Sequence, residues 1–297
     1  MAMIGRITSS TVNQQALRTL QAGLADRARL QDQATSQRAI RTSSDDPAAA
    51  AAILGVHGEQ ARVSQYARNI SDGLAWVTTA DTALGASIDL LNRARDLTAQ
   101  GANSGALSAS ARESIAAELD SLSTELLSQA NTTVLGRTVF AGTDDSGSAF
   151  DATTFAFSGA GGAGVERRVS DGEKVRVDLD GAQVFGEGAD SVFAVLRGIA
   201  SDLRAGAEVG PRLATIDAHL KDLATARGVA GARQAQIERA SAANTSVGVD
   251  LEARRAEVEN VDTLEVYIKL QSAELVYQSA LQVTAKTLQT NLLEFLR

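Results

Sequence analysis

Three glycines form the most suggestive chemical motif in this sequence. Gly159, Gly161 and Gly164 have the spacing of a loop that cradles a dinucleotide pyrophosphate, which requires a strand before the loop and a helix after it. The residues that follow, 165–169, have the pattern of a strand, so no helix N-terminus is available to bind a phosphate. We therefore interpret this segment as a loop and predict that the protein uses no cofactor.

The titratable residues also fall short of a catalytic or metal-binding set. The chain has no cysteine, which excludes thiolate sites and disulfides, and its two histidines, His57 and His219, lie far apart in the sequence. Asp45 and Asp46 could form a metal or acid–base pair. However, Pro47 suits the first position of a helix, so helix capping by Asp46 is the better interpretation. We predict that the protein is not an enzyme and holds no metal.

Charge and hydropathy narrow the class of protein further. The 297 residues include 28 Lys or Arg and 36 Asp or Glu, and the net charge of -8 argues against a nucleic-acid-binding surface over most of the chain. No apolar run approaches the ~20 residues that cross a bilayer, so no membrane insertion is predicted. The first residues lack the apolar stretch of a secretory signal, which leaves a cytoplasmic location and export by another route both open.

Low aromatic content (4%) and two prolines favour long helices with narrow contacts over a thick core. The strongest pattern is a stripe with alternating spacings of three and four residues, a period typical of helices that supercoil. The stripe consists of Ile53, Val56, Gln60, Val63, Ala67, Ile70, Leu74, Val77, Asp81, Leu84, Ile88 and Leu91.

The predicted helix boundaries follow from capping signals. The first long helix should begin at Pro47, reach about residue 99 and end at the glycines between 101 and 105. Ser110 and Glu113 resemble a capping box for a second helix, with apolar residues Ile115, Leu119, Leu122 and Leu126, which we expect to fold back antiparallel on the first. Further helices are predicted at 192–203, from 213 onwards, and from about 244–249 to the end of the chain.

The segment between residues 140 and 188 differs from its flanks because it is rich in Gly, Asp and Ser. Short strands are predicted at 153–158, 165–169, 174–179 and 182–185. Asp171–Gly172 and Asp180–Gly181 have the composition of tight hairpin turns between them. An insert of this size is small for independent stability, so we expect it to depend on its helical neighbours.

Both ends of the chain carry narrow apolar seams. The seam residues we predict to bind partners are Leu17, Leu20 and Leu24 near the start, and Leu281, Leu288, Leu292, Phe295 and Leu296 near the end. One interpretation is that the tail docks on its own core. The other is that the two terminal helices pair with each other and with other subunits.

An ordered set of short motifs runs along both ends of the chain: Arg6-Ile7-Thr8, Leu17-x-x-Leu20-Gln21, Ser43 to Ala50, Asn69-Ile70-x-Asp72-Gly73, Gly136-Arg137-x-x-Phe140-Ala141-Gly142 and the closing Gln289 to Arg297. This set resembles the flagellin superfamily, and within it the hook-associated protein 3 family of hook–filament junction subunits. The resemblance covers roughly residues 1–142 and 190–297. One departure is Gln37, which occupies the position of the usual Gly in a family loop. The S-D-D-P turn, where filament flagellin usually has A-D-D-A, favours the junction proteins.

This resemblance implies a structural protein, exported unfolded through the flagellar type III channel to an extracellular position at the hook–filament junction. It implies a mainly α fold in which long coiled-coil-like helices from both termini pack together, with a variable β domain in the middle. The implied regions are 1–45 (N-terminal helix and spoke-like loop, inner assembly region), 46–142 (long helix, returning helix and short hairpin), 143–190 (variable β insert), 191–243 (returning helical region) and 244–297 (C-terminal helix, inner assembly region).

The resemblance also implies partners. Expected partners are further copies of the chain in a helical or ring assembly, the first hook-associated protein, flagellin, and an export chaperone on the C-terminal helix. Two alternatives remain open at this point: a minor flagellin that forms the filament, and a cytoplasmic coiled-coil scaffold.

Overall fold

A computed structural model describes residues 9–40, 42, 44–103, 108–144, 146–159 and 164–295. The chain divides into two compact units. The first unit is formed by residues 1–61 and 249–297, and the second by residues 62–248.

Helices dominate the described part of the chain, and the predicted fold class is confirmed. The helices are α1 (Ser9–Ser36), α2 (Pro47–Ala102), α3 (Ala109–Ala130), α4 (Gly181–Phe185), α5 (Val192–Ala205), α6 (Arg212–Glu259) and α7 (Thr263–Phe295); the strands are β1 (Thr133–Val134), β2 (Arg137–Thr138), β3 (Glu166–Arg168) and β4 (Lys174–Arg176). Two antiparallel strand pairs, β1–β2 and β3–β4, lie between α3 and α4, and the terminal helices α1 and α7 pack together.

α2 contributes a heptad seam to the core of the second unit. Every second predicted position from Ile70 to Leu91 is buried. Of the positions predicted between them, Leu74 and Ile88 are partly buried and pack against this core, whereas Asp81 is not part of it. The buried residues there lie one earlier in the chain and are small: Gly73, Ala80 and Ser87, and the series continues with Ala94 and Gly101.

Close packing explains why this half of the seam is small. A Cβ added to Gly101 would lie 2.7 Å from Cδ2 of Leu203, so no larger side chain fits without a shift. Asp81 instead lies at the surface, where its carboxylate accepts a hydrogen bond from Arg227 of α6 at 3.0 Å. A hydrophobic pattern gives weight to large apolar residues, so it misses a seam whose closest approach needs small ones.

α3 begins two residues earlier than the capping motif predicted. Its N-cap is Ser108, whose hydroxyl accepts a hydrogen bond from the amide of Ala111 at 3.2 Å, so the predicted capping box of Ser110 and Glu113 is wrong. Glu113 instead forms an ion pair with Arg204 of α5, in which Oε2 of Glu113 lies 3.0 Å from Nε of Arg204. The four predicted apolar residues of α3 are all buried.

The β insert has one of the predicted hairpins and lacks the rest. β3 and β4 pair in antiparallel register around the Asp171–Gly172 turn, although both strands are shorter than predicted. The predicted strand at 153–158 is wrong: the segment forms turns, with a single bridge between Phe150 and Phe157. The predicted strand at 182–185 is α4, since Asp180 caps a helix there and does not form a hairpin turn.

Aromatic packing explains these differences. Phe140, Phe150, Phe185 and Phe193 are fully buried, and Phe150 lies with its ring centroid 5.3 Å from that of Phe193 on α5. The side chain of Asn131, at the end of α3, accepts hydrogen bonds from the amides of Ala149 and Phe150 at 2.8 Å. The insert therefore shares one hydrophobic core with the helices of the second unit.

The C-terminal helices divide at a different place from the one predicted. The predicted helix start near 244–249 is wrong, because α6 continues through this segment to Glu259. Asn244 lies inside the helix and donates a side-chain hydrogen bond to the backbone carbonyl of Val63 at 3.1 Å. The break lies at residues 260–262, where the carboxylate of Asp262 accepts a hydrogen bond from the amide of Leu264 at 2.9 Å and caps α7.

Candidate assembly surface

α1 and α7 pack along each other in the first unit. They run antiparallel, since Gly23 faces Tyr277 while Arg38, just after α1, bridges to Asn260, just before α7. In both helices the less exposed residues recur at spacings of four and three, as in a coiled-coil seam. These residues are Ala16, Leu20, Gly23, Arg27, Leu30 and Ala34 in α1, and Val266, Leu270, Ala273, Tyr277, Ala280 and Thr284 in α7.

The partner-binding residues predicted in α1 occupy two different positions. Leu20 faces α7 and is half-buried, whereas Leu17 and Leu24 lie beside the seam and are 58% and 46% exposed. In α7, Leu281 is 43% exposed. The remaining predicted residues, Leu288, Leu292, Phe295 and Leu296, lie outside the described side chains, and the partner-binding role of the whole set stays a prediction.

α7 carries a second apolar face that the sequence analysis missed. Leu264, Ile268 and Leu275 lie on the side opposite the α1 contact and are 70%, 59% and 69% exposed. Val276 and Val283, one heptad apart, are also exposed. The signal was present, because α7 has apolar residues on more than one side, which a helix packed on a single neighbour does not need. We call Leu264, Ile268 and Leu275 the outer face of α7.

Backbone contacts tie the end of α1 to the break between α6 and α7. The amide of Ala39 donates to the carbonyl of Glu259 at 2.8 Å, and the amide of Val261 donates to the carbonyl of Gln37 at 3.2 Å. Gln37 itself has a φ of 57°, in the left-handed region that glycine prefers. Gln37 therefore holds a backbone conformation that glycine adopts at lower cost.

A buried carboxylate lies close to two arginines and one histidine. The side chain of Glu259 is only 9% exposed, and its oxygens lie 3.3 Å from Arg38, 3.8 Å from His57 and 3.9 Å from Arg255. A carboxylate removed from water needs such partners to offset the cost of desolvation. Because the three partners belong to the connecting segment, α2 and α6, Glu259 links these elements within the first unit.

Asp46 and Pro47 lie where α2 begins. Oδ1 of Asp46 accepts hydrogen bonds from the amides of Ala48 at 2.9 Å and Ala49 at 3.0 Å, and Pro47 is the first residue of the helix. The neighbouring Asp45 accepts a hydrogen bond from the amide of Thr42 at 3.0 Å. Both carboxylates are thus occupied by backbone amides, which is the geometry of capping and loop closure.

The described residues hold neither a metal-binding cluster nor a membrane-spanning helix. Within the described ranges, no cluster of three or more His, Asp or Glu side chains could hold a metal ion. Across the same part of the chain, no helix combines the length and the apolar character that crossing a membrane requires.

The known proteins to which this chain is similar are flagellar proteins. Flagellar hook-associated protein 3 of Salmonella typhimurium is 27% identical over 181 residues, which is 61% of this chain and 56% of that protein, so the chain spans about half the length of this curated relative. Bacillus cereus FlgL superposes with a TM-score of 0.59 at 20% identity, over 68% of this chain and 99% of that one. A Vibrio parahaemolyticus protein provisionally assigned as flagellar hook-associated superposes with a TM-score of 0.67 at 21% identity, over 73% of this chain and 100% of that one.

The family assignment rests on both ends of the chain. Residues 7–145 match the bacterial flagellin N-terminal helical region, and residues 213–296 match the bacterial flagellin C-terminal helical region. The two matches flank the β insert, as the resemblance of the sequence motifs implied. The solved structures share the fold of this chain, and the chain belongs to the bacterial flagellin family.

Proposed function

We propose that this protein is a structural subunit of the bacterial flagellum that joins the hook to the filament. The observation that carries the proposal is the outer face of α7, an exposed apolar surface on a terminal helix pair in a chain of the flagellin family. Exposed apolar residues of this kind mark interaction sites, because leaving them in water is unfavourable. Self-association in a ring or helical assembly would cover them.

The proposal assigns a role to each part of the chain. Regions 1–45 and 244–297 form the inner assembly region, the helical regions 46–142 and 191–243 surround it, and the insert at 143–190 lies outside. The neighbours are the first hook-associated protein on the hook side and flagellin on the filament side. An export chaperone holds the C-terminal helix until the chain leaves the cell through the type III channel. No catalytic role is part of this proposal.

The two alternatives predict different phenotypes. The similarity to a hook-associated protein 3 does not favour a minor flagellin, and membership of the flagellin family does not favour a cytoplasmic scaffold. A strain that lacks the gene should secrete flagellin monomers into the medium and build no filaments. A minor-flagellin deletion would leave filaments in place, and a scaffold would be absent from a fraction sheared from the cell surface. Either result would overturn the proposal.

A further inference from the structure

Two short segments join the clasped ends of the terminal helices. Residues 37–39 follow α1, and residues 259–261 form the break between α6 and α7. Arg38 and Asn260 face each other as an isolated antiparallel bridge. The two backbone hydrogen bonds between the segments lie on either side of this pair, so the segments form a single bridged contact. We call these two segments the clasp.

The clasp holds one residue in an unfavourable backbone conformation. Gln37 has a φ of 57°, which is sparsely populated by residues that carry a Cβ. Its carbonyl accepts a hydrogen bond from the amide of Val261 at 3.2 Å. Gln33, in the last turn of α1, adds a further bond by donating from Nε2 to the carbonyl of Ala39 at 2.9 Å. A strained conformation persists only where its surroundings determine it, so the contacts of the clasp outweigh this cost.

Burial in the first unit is concentrated near the clasp. Among the residues of that unit that the structure describes, the buried ones are Leu30, Leu251, Glu259 and Val266. Leu30 lies in the last two turns of α1 and Val266 in the first turn of α7, which are the parts of the two helices next to the clasp. Farther from the clasp, the seam residues Leu20 and Ala280 are only half-buried. The α1–α7 seam is therefore most complete at its clasp end.

Glu259 supplies the charge that holds the clasp together. Its buried carboxylate lies 3.3 Å from Arg38 in the opposite segment, and His57 and Arg255 approach it from α2 and α6. Removing the charge of a buried, paired group is strongly unfavourable, because the groups around it lose their counter-charge. Glu257, two residues earlier on α6, is exposed and provides a matched comparison.

We propose that the clasp closes the terminal helix pair: α1 and α7 pair from the clasp outward, and the charge of Glu259 determines whether they do so. A helix with a narrow seam is marginal by itself and gains little from each further turn of pairing. The hydrogen bonds and ion pairs of the clasp stabilise the first contact, and the half-buried turns beyond it depend on that contact. The inference concerns one chain alone, so it stands or fails independently of the proposed function.

Hydrogen exchange of the purified full chain tests this dependence. Glu259→Gln keeps the size of the side chain and removes its charge. The amides of α1 and α7 should then exchange about tenfold faster, near Leu20 and Ala280 as well as next to the clasp, while those of α5 in the second unit should not change. The control Glu257→Gln should exchange like the natural chain. Faster exchange confined to the turns next to the clasp, or no change at all, would overturn the proposal.

A disulfide across the clasp replaces the missing charge by a covalent contact. The natural chain has no cysteine. Arg38 and Asn260 occupy the non-hydrogen-bonded position of an antiparallel bridge, where Cα atoms lie about 4.5 Å apart and a disulfide can form. In the Glu259→Gln chain, adding Arg38→Cys and Asn260→Cys should restore slow exchange along α1 and α7 on oxidation and lose it again on reduction. Fast exchange with the disulfide formed would show that the clasp does not control the pairing.

Discussion

Asp46 shows how one side chain can define the start of a helix. Its carboxylate accepts hydrogen bonds from two amides in the first turn of α2 and lies at the positive end of the helix dipole. We expect Asp46→Ala to lower the free energy of unfolding by about 0.5–2 kcal/mol. Asp46→Asn and Asp46→Ser should restore most of this stability, because both side chains can cap. Thermal melts measure the effect, and a Ser variant as damaged as the Ala variant would contradict the capping interpretation.

His219 gives the stability of the protein a dependence on pH. Burial lowers the pKa of His219 below its ordinary value of 6.5, although Asp222 and Asp190 act in the opposite direction. The unfolded chain therefore takes up a proton near pH 6.5 that the folded chain takes up only at lower pH. The stability that comes from the lowered pKa of His219 is therefore fully present above pH 6.5 and is lost progressively as the pH falls below that value.

The corresponding variant is His219→Gln, which cannot take up this proton. Denaturant melts at a series of pH values should show a smaller loss of stability below pH 6.5 for His219→Gln than for the natural chain. Identical pH profiles for His219→Gln and the natural chain would show that another group is responsible.

At the scale of elements, the small residues of α2 determine how closely the helices of the second unit approach. Gly101→Ala places a Cβ 2.7 Å from the fully buried side chain of Leu203, so we expect a loss of about 1–3 kcal/mol from overpacking. Gly228→Ala in α6 is the control, because a Cβ there has nothing within 4 Å and should stabilise the helix by about 0.5–1 kcal/mol. Chemical denaturation followed by Trp76, the one tryptophan of the chain, reports on this unit.

The outer face of α7 is expected to act in assembly and not in folding. Ile268→Glu and Leu275→Glu change residues on the side of α7 opposite α1, so the melting temperature of the subunit should change little. Incorporation into flagella should be lost, because a charge would have to be buried at a subunit contact. Ser246→Glu adds the same charge at an exposed position of α6 and should leave incorporation intact. If both sets of variants assemble equally well, the outer face is not a contact.

At the scale of the whole molecule, the β insert is part of the core that the helices of the second unit build. Removing residues 144–188 would leave Phe140 and Phe193 without the rings of Phe150 and Phe185 that pack on them. Truncating even one such aromatic contact costs about 3–5 kcal/mol, so a short Gly-Ser bridge should leave the second unit unfolded or barely stable. The red shift of Trp76 fluorescence measures this. A deletion variant that melts like the natural chain would show that the helices fold the second unit without the insert.

Much of this protein follows from local sequence signals. The helical class, the Pro47 start of α2, the Asp171–Gly172 hairpin and the relationship to the flagellin family were all predicted from residues close together in the chain. Such features depend on backbone conformation, capping and period, which act over a few residues and are therefore readable without the fold. The outer face of α7 could also have been found this way, because the sequence of α7 places apolar residues on more than one side of the helix.

The tertiary structure decided what depends on distant neighbours. The seam of α2 passes through Gly73 and Gly101 because other elements approach closely there, which a hydrophobic pattern does not record. Phe155 and Phe157 alternate as in a strand, yet both turn toward one aromatic cluster, and the helix that contains 182–185 packs Phe185 into the same cluster. α6 continues through the weakly helical 244–249, where Asn244 bonds to α2. In each case the energy of packing exceeded the local preference of the chain.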